Sequence, residues 1–155
     1  MEREHVPPVD VETVLRLLAP DASGVPVRCR LRYDAADPYA VQVCFHLEAR
    51  AVEPVSWSFA RDLLAAGLDG PSGLGDVRVW PWRTTHGESV AMALTSPDGQ
   101  ALLEAPRATL VAFLADTYAL VPPGGESERL DIDADAWLSG QLLPDKTEED
   151  DQEGR

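Results

Sequence analysis

Val25-Pro26-Val27-Arg28-Cys29-Arg30-Leu31-Arg32-Tyr33 leads through Asp34-Ala35-Ala36-Asp37-Pro38 into Tyr39-Ala40-Val41-Gln42-Val43-Cys44-Phe45-His46-Leu47. In the first run Val25, Val27, Cys29, Leu31 and Tyr33 alternate with Pro26, Arg28, Arg30 and Arg32. Neighbouring side chains of a strand point to opposite faces, so the run predicts a strand with one apolar face and three arginines on the other. The acids and proline of 34–38 supply turn chemistry. Tyr39, Val41, Val43, Phe45 and Leu47 then resume the alternation, and the two runs together predict an antiparallel hairpin.

On the N-terminal side, Val9–Leu18 places apolar residues at Val9, Val11, Val14, Leu15, Leu17 and Leu18. This suits an interrupted strand or a short helix, and the β-branched content favours the strand. Residues 1–8 are polar, end in Pro7-Pro8, and are expected to form a flexible arm.

On the C-terminal side, Val52–Phe59 is a third alternating run, with Val55, Trp57 and Phe59 on one side. A helix is expected over Phe59–Leu68, with Ser58 able to cap its start. Asp69–Asp76 is a glycine-rich connection. Val77–Trp82 and Ser89–Thr95 return to strand, and Ser96-Pro97-Asp98-Gly99 turns the chain into Gln100–Ala105. Pro106 suits the first position of a second helix, whose apolar face is Leu110, Phe113, Leu114, Thr117 and Tyr118. Val121-Pro122-Pro123-Gly124-Gly125 ends that helix, and Asp131–Leu143 reads as an extended piece with a short helix. The sequence therefore predicts an α+β domain over 9–143. Its mostly antiparallel sheet comes in two hairpin-plus-helix halves, with helices packed on one side.

The apolar share of 45% is that of a folded domain, and 155 residues can bury a core. The net charge of −14 opposes nucleic acid and anionic lipid at long range. The segment from Asp145 to Arg155 holds six acids and two bases and nothing apolar, so residues 144–155 are expected to be a disordered acidic tail. Met1-Glu2-Arg3-Glu4-His5 places acids where a secretory signal needs basic and then apolar residues. No apolar run approaches the about 20 residues of a membrane span. A reducing cytoplasm is the expected compartment.

Chemistry-bearing patterns are sparse. His5, His46 and His86 lack the spacing of a helical metal pair. Cys29 falls on the apolar phase of its strand and Cys44 on the opposite one, with no CxxC. Ser72-Gly73-Leu74-Gly75 lacks the spacing and lysine of a phosphate loop. No catalytic residue, metal or cofactor is expected. The candidate partner-binding residues are Arg28, Arg30 and Arg32 on one strand, and Arg78, Trp80 and Trp82 on another. Aromatics beside arginines make good interface anchors. The same set, with Arg83, is what a single-stranded nucleic-acid binder would use, a reading that the acidic balance opposes. Tryptophans 80 and 82 could equally pack beneath the C-terminal helix. Pro81 between them argues for the edge or end of a strand.

Five blocks in order resemble the SsgA-like family of sporulation and cell-division proteins. They are Leu31-Arg32-Tyr33-Asp34-Ala35-Ala36-Asp37-Pro38-Tyr39-Ala40-Val41, Phe59-Ala60-Arg61-Asp62-Leu63-Leu64 and Gly75-Asp76-Val77-Arg78-Val79-Trp80-Pro81. The fourth runs from Ser96 through Ala101-Leu102-Leu103-Glu104-Ala105 to Pro106, and the last is Val121-Pro122-Pro123-Gly124. The resemblance implies a fold like the whirly single-stranded nucleic-acid binders, a homo-oligomer of the trimeric kind, and no catalysis. It also implies a part in placing or assembling the septum, through contacts with the tubulin-like division protein, other division proteins or related SsgA-like proteins.

Overall fold

A computed structural model describes residues 6–18, 23–45, 54–85, 87–97 and 99–127. The expectations for the N-terminal residues 1–5, for Asp131–Leu143 and for the acidic tail lie outside the described residues. Among the described residues nine elements follow in order: β1 (Val9–Leu18), β2 (Gly24–Tyr33), β3 (Ala40–Phe45), β4 (Val55–Ala60), α1 (Arg61–Gly67), β5 (Val77–Thr84), β6 (Gly87–Ser96), β7 (Gly99–Pro106) and α2 (Arg107–Leu120). The strands form one sheet in the order β4-β3-β2-β1-β7-β6-β5, with every pairing antiparallel. The hairpin-plus-helix halves are thus two meanders, β1 to β4 and β5 to β7, each followed by a helix.

The halves meet along a short seam. β1 and β2 pair over their whole lengths, whereas among the described residues β1 and β7 pair at Arg16↔Glu104 and Leu17↔Leu103. Beneath the sheet α2 lies against β1, β6 and β7, while α1 lies against β4 and β5.

The alternation read from the sequence decides which face is dry. Val27, Cys29, Leu31 and Tyr33 of β2, Val41, Val43 and Phe45 of β3, and Val77 and Val79 of β5 are all buried. Leu110, Phe113 and Leu114 of α2 complete the core with Leu64 of α1. Gly67 lets α1 approach β5, since a Cβ there would overlap the Val79 side chain. The other face of the sheet carries no described helix.

Two local readings change, and one connection proves to be tethered. Ser58 lies in β4 and caps nothing: Phe59 and Ala60 still pair with Val41 and Ala40, so the ladder holds the chain until the Arg61 N–H donates to Tyr39 O at 2.7 Å. Ala60 is then the N-cap of α1. Pro106 is the N-cap of α2 rather than its first residue, because β7 extends through it. The glycine-rich connection is pinned: Ser72 and Val79 exchange two backbone hydrogen bonds, of 2.8 and 2.9 Å, along the outer side of β5. Among the described residues no helix is long and apolar enough to cross a membrane.

Candidate functional site: the open face of the sheet

All six candidate residues lie on the face away from the helices, since each is out of phase with the buried residues of its strand. The structure gathers them into two groups. Arg28, Arg30 and Arg32 of β2 stand opposite Val14, Glu12 and Asp10 of β1. Arg78, Trp80 and Trp82 of β5 stand opposite Ala93, Ala91 and Ser89 of β6. Four strand spacings, about 19 Å, separate the two strands. Neither tryptophan lies beneath α2, because the neighbouring Val79 takes the buried phase and faces α1. β5 is a sheet edge, as Pro81 suggested.

Acids from β1 balance most of the arginine row. Arg30 Nη2 donates to Glu12 Oε2 at 3.0 Å, and its Nε lies 3.1 Å from Asp10 Oδ1. Arg32 Nε lies 3.5 Å from Asp10 Oδ2. Such exposed pairs contribute only about 0–1 kcal/mol each. Their consequence here is electrical: the row offers far less free positive charge than three arginines suggest. Arg28 faces Val14 instead and has no described acid as partner. At the far edge Arg83 lies 3.6 Å from Glu88.

Between the two groups is a residue the sequence reading did not single out. Val14 takes the solvent phase of β1, a central strand, and is 55% exposed. It lines two hollows at once. One, of about 590 Å³, also takes in Arg28, Arg30, Arg32 and Gln42. The other, of about 430 Å³, lies over the seam and takes in Arg16, Trp82, Glu104 and Pro106. Arg16 and Glu104 bridge the seam at 3.5 Å. Ala91 is fully buried although it lies on the open face, between Trp80 and Glu104 in the ladder. Small residues opposite Arg78 and Trp80 leave these long side chains room to lie along the sheet.

The cysteines divide by face as their phases suggested. Cys29 is buried, and burial pushes its thiol up to about 11, so it stays protonated. Cys44 is half-buried on the open face, its sulfur 3.4 Å from Ser56 Oγ. His5, His46 and His86 lie outside the described residues. Among the described residues no group of three or more His, Cys, Asp or Glu side chains is placed to hold a metal.

The strongest ionic feature is inside the molecule. Arg61, the first residue of α1, is fully buried. Its guanidinium lies between the rings of Tyr33 and Tyr118, 4.8 Å from each centroid. Nη1 donates to Val121 O at 2.8 Å and to Thr117 O and Oγ1 at 3.3 Å. Nη2 donates to Glu126 Oε2 at 2.7 Å, and this hydrogen bond, ahead of the other influences, holds the Glu126 carboxyl below its ordinary value. The residue fastens the end of α2 and the following turn to the start of α1. Its signal in the sequence was its place in the apolar stripe of that helix, three residues before Leu64 and seven before Leu68.

Comparison with known proteins agrees with this architecture. Residues 27–126 match the family described as Streptomyces sporulation and cell division protein SsgA. A sporulation-specific cell division protein SsgB from Salinispora tropica is 63% identical over 125 residues, 81% of this chain and 87% of the relative. The SsgB of Streptomyces coelicolor is 55% identical over 126 residues, 81% of this chain and 90% of that one. The crystal structure of an SsgA-like sporulation-specific cell division protein from Thermobifida fusca superposes with a TM-score of 0.78 at 42% identity, covering 89% of this chain and 99% of that one. A sheet in two meanders, two helices beneath it and the ordered sequence blocks all point the same way, and the chain belongs to the SsgA family of sporulation and cell-division proteins.

Proposed function

We propose that the chain serves sporulation-associated cell division, without chemistry of its own, by holding another protein of the division machinery against the open face of its sheet. Val14 carries the reading. A valine on the solvent side of a central strand adds nothing to the core, and here it joins two hollows. An apolar centre flanked by arginine and tryptophan is the make-up of a protein interface, where a few anchors supply most of the affinity. The SsgB names of the relatives direct the reading to division. A division protein or a related SsgA-like protein is the partner in this reading, and the septum is where they meet.

The nucleic-acid reading is weaker. Asp10 and Glu12 occupy two of the three arginines a phosphate chain would need.

Val14→Glu tests the interface. Tagged wild-type chain from sporulating cells is expected to bring down an identified division or septal protein. The variant should lose it by at least about tenfold at an unchanged melting temperature, as for an interface anchor. Equal recovery by both forms, or no division protein with the wild type, would overturn the proposal.

A further inference from the structure

The hollow over the seam differs in chemistry from the arginine row beside it. The charged residues that line it are Arg16, Glu88 and Glu104, so acid exceeds base. Trp82 of β5 and Pro106 of β7 stand on opposite sides of it. Ser89 of β6 pairs with both and is the small residue between them. Two strand spacings, about 10 Å, separate the outer two at the backbone. That width suits a flat group lying against the indole ring.

Glu104 supplies the charge at the floor of the hollow. Its side chain is 13% exposed, and Arg16 Nε approaches its Oε1 at 3.5 Å. A strong hydrogen bond between charged groups is shorter, about 2.7–2.9 Å. Arg16 is held in its place by its other contact: the guanidinium rests on Gly24, where a Cβ would overlap Nη2, Nε and Cζ. A carboxylate can accept about four hydrogen bonds, so Glu104 keeps acceptor capacity for a second cation. Sinking a carboxylate this far from water is costly unless such a cation comes to it.

We infer that this hollow is a socket for an arginine side chain of the partner protein. The inference rests on the reading of the open face as a docking surface, and it names the anchor that the partner brings. The guest guanidinium lies flat on the Trp82 ring, where the ring face attracts a cation. Its fork donates to Glu104, and its methylene stem covers Val14 and Pro106. Glu88, at the rim, adds to the attraction. A lysine ammonium has no plane to stack and no fork to offer, so it fits less well. The net charge of −14 draws a basic surface towards this chain at long range.

The probe is N-acetyl-arginine amide, titrated into the isotope-labelled full chain and followed by NMR at the Trp82 indole N–H and the Ser89 backbone N–H. A saturable shift at both is expected. Acetyl-citrulline amide, which keeps the shape and loses the charge, should give none. Glu104→Gln should weaken the arginine probe by about tenfold, the worth of one charge-assisted hydrogen bond. Trp82→Leu, read at Ser89, should reduce the preference for arginine over acetyl-lysine amide, and it keeps the test open if Glu104→Gln melts early. Asp62→Asn removes an exposed acid from α1 and should change nothing. Equal shifts with citrulline, equal affinity for lysine in the wild type, or equal weakening by Asp62→Asn would overturn the inference. So would a change in the mass of the Glu104→Gln chain in sedimentation, which would give the socket to a second copy. The titration uses the purified chain alone, so its failure is distinct from failure of the pull-down with Val14→Glu.

Discussion

Removing the Glu126 carboxylate would leave the Arg61 guanidinium buried with no described acid to balance it. Breaking one side of a buried pair typically costs about 3–5 kcal/mol, so Glu126→Ala should lower the urea midpoint of unfolding by that much stability. The pair also has a pH signature. The Glu126 carboxyl is held below its ordinary value in the folded chain. The unfolded chain therefore takes up this proton first as pH falls. The stabilisation is whole above the ordinary carboxylate value of about 4.3 and is lost as pH drops below it towards the folded value. Glu126→Gln should flatten that part of the stability curve, and an equal slope in both proteins would refute the account. Little of this was legible in the sequence. Arg61 was visible inside a family block, but its side-chain partners Thr117, Val121 and Glu126 lie 56 to 65 positions away. A reading of periodicity sees only near neighbours and treats an arginine as solvent-facing.

Each strand whose alternation was read kept its phase, because one-sided burial punishes a slip by exposing every apolar side chain at once. Element ends were harder to read. The strand β4 runs into α1 without a break, and the local capping signal of Ser58 lost to two more ladder positions. The approach of α1 to β5 was likewise hidden, since a glycine near the end of a helix reads as a stop signal. In the structure Gly67 does end α1, and it is also a contact surface. Gly67→Ala should destabilise by about 1–3 kcal/mol through overpacking against Val79. Combined with Val79→Ala the losses should sum to less than the two separately, because one substitution makes room for the other. Additive losses in urea titration would mean that the two side chains do not meet. The candidate residues were visible as types, and phase put the three arginines of β2 on one face, but whether Trp80 and Trp82 pack beneath the C-terminal helix stayed open. Their separation into two groups was not legible, because only the strand order sets β2 and β5 four strands apart. Val14 escaped for the same reason: β1 was legible as a strand but not as a central one.

At the scale of the whole molecule, charge and shape take separate roles. The net charge of −14 includes about −4 from the Asp145–Arg155 segment. That segment has no apolar group to bury, so deleting it should leave the melting temperature unchanged within about 2 °C, a shift worth less than 1 kcal/mol in a domain of this size. A larger fall would show that it packs on the domain. The same balance of charge predicts no retention of single-stranded DNA even at low salt, where counterion release makes such binding strongest. Retention that weakens by decades as salt rises would instead favour the nucleic-acid reading of the open face.

The two-pair seam between β1 and β7 has a mechanical meaning. A sheet so lightly stitched at its middle is two leaves on a common spine, and α2, lying across β1, β6 and β7, is the splint that keeps them aligned. Two described ladder positions hold this seam, against the full-length β1–β2 and β6–β7 pairings on either side of it. The hollow over that spine, with Val14 at its rim, therefore lies where the fewest described ladder bonds hold its floor.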